Sequence, residues 1–168
     1  MSQDLIQSRR VRYSSFMSTK RRSLDLRTLA QLREEVASLQ TRGYDKMGKW
    51  SLGEMAEHLA LTMEKSIDGF DIHRPLLFKM LGPAVKWAVL KYRFIPSGVP
   101  APAVFLPAQL HSSGDAPSLE RFRKTLDRYE SFTGVLHSSP VFGTLTRAQW
   151  DQIHLIHAAH HLRYLQPR

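Results

Sequence analysis

Four of the eight histidines in this 168-residue chain fall within one short stretch: His154, His157, His160 and His161. Imidazole nitrogens move protons near neutral pH and are the commonest protein ligands for divalent metals. His157 and His161 stand four residues apart, so on a helix both can reach one ion. Winding that helix from Trp150 at zero puts His157 at about 340° and His161 at about 20°. Ile153 and Tyr164 continue the same apolar face, while His154 and His160 flank it at about 40° and 280°. Burying imidazoles there without partners costs about 1–3 kcal/mol per polar group, which a shared ion or separate hydrogen bonds would offset. Two histidines do not make a well-held site, so a third ligand has to come from another helix. His58 is the candidate, although the wheel puts it about 100° from the centre of its apolar stripe. Glu54 and Glu57 are reserves, as ligands, as partners to an imidazole or as a general base. His73, His111 and His137 lie in or near predicted loops or helix ends and stay outside the set. With no cysteine, a disulfide framework, a thiolate zinc site and a cysteine nucleophile are all excluded.

The elements that must position these rings are helices. A first helix is predicted over Ser23 to Arg42, with Leu29, Leu32, Val36 and Leu39 at three- and four-residue spacing and Gly43 ending it. Ser51-Leu52-Gly53-Glu54 is a capping box, so a second helix opens at Ser51, carries His58 in its second turn and closes at Gly69. A third segment runs from Pro75 to Ile95, with Pro83 expected to kink or divide it. Residues 96–117 are rich in Pro and Gly and are expected to form a long irregular crossover, the kind of loop that often binds ligands or covers a site. A fourth helix starts at Ser118, and a second capping box, Thr146-Arg147-Ala148-Gln149, opens the last helix, expected to reach Leu165. Little in the chain alternates like a strand. The expected class is all-α, a helical bundle over residues 23–168 behind a flexible basic extension over residues 1–22.

The two histidine blocks resemble those of a known superfamily. Trp50-Ser51-Leu52-Gly53-Glu54-Met55-Ala56-Glu57-His58-Leu59-Ala60 resembles the first histidine motif of the DinB-like superfamily. His157-Ala158-Ala159-His160-His161-Leu162-Arg163 resembles its second, HxxHH followed by a basic residue. The long third segment and proline-rich crossover resemble an uncharacterised bacterial branch of it, a domain of unknown function. The resemblance spans about Leu24 to Pro167 and implies a DinB-like four-helix bundle with three histidines around a divalent metal ion, commonly zinc or nickel. By that carry-over the metal ligands are His58, His157 and His161. The glycine-glutamine usual after the basic residue is replaced here by Tyr164-Leu165-Gln166. The superfamily contains thiol-dependent S-transferases and isomerases alongside members without known activity.

The function classes left open are therefore a metal-dependent thiol S-transferase, a hydrolase, or a non-catalytic ligand-binding bundle with a structural metal. The expected partner is a small-molecule substrate, with a low-molecular-weight thiol as the first candidate and a homodimer as the candidate assembly. Composition argues for a folded domain, with 42% apolar and 23% charged residues. The net charge of +9 is concentrated near the start, where Arg9, Arg10, Arg12, Lys20, Arg21, Arg22 and Arg27 face only Asp4 and Asp25. Nucleic-acid binding is not expected, because no recognition-helix motif accompanies that surplus. No membrane segment is expected either: no run approaches about 18 apolar residues, and Lys79, Lys86, Lys91 and Arg93 break the most hydrophobic stretch. No apolar stretch follows either arginine pair, so the expected location is cytoplasmic.

Overall fold

A computed structural model describes residues 21–71, 76–97 and 115–168. The described residues are mostly helical. In chain order the helices are α1 (Leu29–Arg42), α2 (Leu52–Asp68), α3 (Leu76–Tyr92), α4 (Ala116–Ser131) and α5 (Arg147–Leu162). Strands β1 (Tyr44–Lys46) and β2 (Leu165–Pro167) pair antiparallel, with Tyr44 opposite Pro167 and Lys46 opposite Leu165. Most of the expected extension, residues 1–20, and most of the expected crossover, residues 98–114, lie outside the described residues, as do His73, Pro75 and His111.

Local chemistry sets most boundaries. Both capping boxes form: Ser51 Oγ accepts from the Glu54 amide at 3.2 Å while Glu54 accepts from the Ser51 amide at 2.6 Å, and Thr146 and Gln149 repeat the pattern. Gly43 and Gly69 close their helices at φ 77° and 103°, a region that favours glycine. Helix α1 begins at Leu29 rather than Ser23, because Thr28 caps it and the residues before it are not helical. There Arg93 donates to the Asp25 carboxylate at 3.0 Å and to the Leu26 carbonyl at 2.5 Å. Helix α3 runs through Pro83 without division, and α4 starts two residues ahead of Ser118 with Pro117 in its first turn. Helix α5 stops at Leu162, three residues short of the expected end, and the chain then enters β2.

One apolar core joins α1, α2, α4 and α5 through residues such as Leu32, Leu39, Met55, Leu59, Phe122, Leu126, Leu155 and Leu162. A second, smaller cluster (Val89, Leu145, Trp150, Ile153 and Ile156) packs α3 against α5. Leu77, Met80, Leu81 and Trp87 of α3 are exposed. Among the described residues no helix is long and apolar enough to cross a membrane.

Two close approaches place the start of α2. A Cβ on Gly53 would lie 2.8 Å from Asp115 Cα, so only glycine lets the first turn of α2 meet the start of α4 there. The Asp115 carboxylate accepts from Ser51 Oγ at 2.8 Å and Tyr44 Oη at 2.7 Å, and Tyr44 Oη accepts from the Leu52 amide at 2.9 Å. The β1–β2 pairing and a 2.8 Å bond from the Met47 amide to the Tyr164 carbonyl then tie the lead-in to α2 to the end of α5.

Candidate metal centre

Those ties bring one histidine of α2 against two of α5. His58 is only 3% exposed, while His157 and His161 are partly exposed. The wheel placed His58 at the edge of its stripe, and the structure buries it. The reason is that α2 is covered on two sides, by α4 and by α5, and His58 meets His157 and His161 on the α5 side. His157 Nε2 lies 3.0 Å from His58 Nε2 and 3.0 Å from His161 Nε2. One ligand atom from each of the three lies within 4.8 Å of the others. The rings form a three-bladed arrangement, with centroids 4.7–4.8 Å apart and planes 73–75° to one another. Nitrogens that share an ion at about 2.0–2.1 Å are about 2.9–3.4 Å apart for octahedral to tetrahedral angles. The spacing of His157 to each neighbour falls in that range, and the three residues together could hold a divalent ion.

The remaining sequence candidates lie elsewhere. Glu54 is occupied in the helix cap, and Glu57 forms an ion pair with Arg121 of α4. Neither joins the histidine cluster, so their reserve role as ligand or base at this point has no support in the geometry. His154 is buried, with Nε2 3.3 Å from Ser66 Oγ and its ring stacked on Trp150. His160 Nδ1 accepts from Arg163 at 3.2 Å, and His137 lies beside Gly69 at the far end of α2. Trp50 directly precedes the capping box, and its spacing alone assigns it no role. It forms a wall of the site, stacked on His161 at 5.2 Å and tilted against His58 at the same distance.

The profile of a family described as "protein of unknown function (DUF1569)" matches residues 18–168. The chain belongs to the DUF1569 family. No curated protein and no solved structure matches it. The matched residues of this DUF1569 chain include all three clustered histidines.

Electrostatics in the DUF1569 chain favour the ligand form of His157 and His161. Burial, then the neighbouring His161 and His58, holds His157 well below the ordinary imidazole value. Burial, followed by His58, His160 and Arg163, pushes His161 down to about 2. Neutral imidazoles at pH 7 present lone pairs, and only those can ligate.

Proposed function

We propose that His58, His157 and His161 hold one divalent ion, zinc or nickel, in a DinB-like helical bundle, and that the ion serves a thiol S-transfer reaction on a small molecule. The observation that carries this reading is the convergence of three Nε2 atoms from two separate helices. The DinB-like relationship is supported by the two histidine blocks and their order along the chain.

A bound ion would supply Lewis acidity, lowering the pKa of a sulfur or oxygen nucleophile. The chain's own residues do the rest. The three imidazoles hold a fixed triangle, Trp50 covers one side, and the partly exposed His157 and His161 leave an approach for a small ligand. With Glu54 and Glu57 engaged elsewhere, no carboxylate among the described residues joins the cluster as a general base. That favours an externally supplied thiol, which needs only deprotonation, over hydrolysis assisted by a basic side chain.

Protein purified without a histidine tag is expected to carry close to one divalent ion per chain by elemental analysis. His157→Ala and His161→Ala should empty it, and His160→Ala should retain most of the metal. Full metal content in His58→Ala would overturn the assignment of the first motif. Metal-dependent adduct formation from a small thiol and an electrophile tests the chemistry; its absence would leave a hydrolase or a non-catalytic binding protein.

A further inference from the structure

Most guanidinium groups of the described residues face a carboxylate: Arg22 faces Glu35, Arg93 faces Asp25, Arg121 faces Glu57 and Glu64, and Arg128 faces Asp68. Arg21 and Arg163 face none among the described residues. They converge instead on one neutral oxygen. Ser97 Oγ accepts from Arg21 Nη1 at 2.8 Å, from Arg163 Nη2 at 3.1 Å and from Tyr164 Oη at 3.0 Å. The Arg21 guanidinium also lies over the Tyr164 ring, 4.6 Å from its centroid. The Nε of Arg163 is buried and has no hydrogen-bond partner among the described residues.

This arrangement is electrostatically incomplete. A hydroxyl oxygen offers two lone pairs, yet three donors address it, two of them cationic. Two positive groups meet on one uncharged oxygen, offset only by the π faces of Tyr164 and Phe94, and a further guanidinium N–H is unused. An anionic oxygen with its extra lone pair and charge would satisfy such donors, and arginine forks match carboxylate and phosphate oxygens. The cluster also borders the histidine centre. Arg163 Nη2 is 3.2 Å from His160 Nδ1, and the His160 ring is 5.0 Å from that of His161.

We propose that Arg21, Arg163, Tyr164 and Ser97 form an oxyanion-binding subsite for the carboxylate or phosphate group of the small molecule handled at the histidine centre. The placement of the reacting part rests on the metal reading given above; the oxyanion site itself does not. Ser97 stands where an anionic oxygen would, and moves aside or shares its donors when the ligand enters.

The test uses the full chain, once metal-loaded and once after chelation. Inorganic phosphate and acetate are titrated while the Arg Nε–H signals are followed by NMR. At least one probe should shift the Arg163 signal saturably in both preparations; phosphate alone would identify a phosphate-bearing ligand, and acetate alone a carboxylate. Arg21→Gln and Arg163→Gln should each weaken that binding about tenfold, the scale of a lost charge-assisted hydrogen bond. Both variants should keep the metal content of the parent, and Arg21 is exposed enough for its variant to fold. His157→Ala should still bind the oxyanion, so loss of metal there separates failure of the metal reading from failure of this one. No shift with either probe, or unchanged affinity in both arginine variants, would overturn the subsite. For the link between the two sites, 3-mercaptopropionate should bind the metal-loaded chain about tenfold more tightly than uncharged 2-mercaptoethanol. That advantage should vanish in Arg163→Gln; an equal affinity of the parent for the two thiols would refute the link.

Discussion

At the scale of single residues, the protein separates histidines by what surrounds them. His154 is enclosed by Trp150, Tyr129 and Ser66, and burial, helped by Arg147, pushes its pKa down to about 3 from 6.5. The unfolded chain therefore binds a proton that the folded chain refuses over that interval. This contribution to stability is complete above pH 6.5 and is lost as pH falls toward 3, by up to about 1.4 kcal/mol per pH unit. Denaturant melts between pH 7 and 4 should show that slope, reduced in His154→Phe; a slope unchanged by the substitution would contradict it. Trp50→Ala should keep the fold but lower metal affinity about tenfold, the effect of removing a group that orients a ligand, as read by competition with a chelator. The i,i+4 pair of His157 and His161 was legible because helical spacing alone puts both on one face. His58 was legible from its motif but not from its wheel. The diversion of Glu57 to Arg121, 64 residues away, leaves no trace in local spacing.

At the scale of elements, the two capping boxes were legible since each needs only four residues, and they fixed the starts of the two histidine-bearing helices. The β1–β2 pair was not. Strands of three residues carry no period, and their pairing joins positions more than 100 apart in the chain. The closeness of α2 to α4 was hidden for a similar reason, since Gly53 reads as an ordinary first-turn glycine until Asp115 is beside it. Gly53→Ala should destabilise the protein by about 1–3 kcal/mol through overpacking, measured by denaturant unfolding, despite alanine's better helix propensity. A neutral or stabilising effect would mean that the two helix starts separate freely.

For the whole molecule, the helical class and the order of its helices were legible from apolar spacing and turn residues. The division into two apolar clusters was not, nor was the exposed apolar face of α3, because its sequence is hydrophobic on more than one side. The histidine centre stitches α2 to α5 across the larger core, so an ion bound there favours the folded state by mass action. At a hundredfold excess over its dissociation constant it adds about 2.7 kcal/mol. Metal should raise the melting temperature of the parent and leave that of His161→Ala unmoved, a comparison that thermal scans with and without chelator decide. X-ray absorption spectroscopy of the metal-loaded chain addresses the coordination itself. The predicted result is three imidazole nitrogens at about 2.0–2.1 Å from zinc, with the remaining scatterers light. A first shell with fewer imidazoles that is the same in His58→Ala would contradict it.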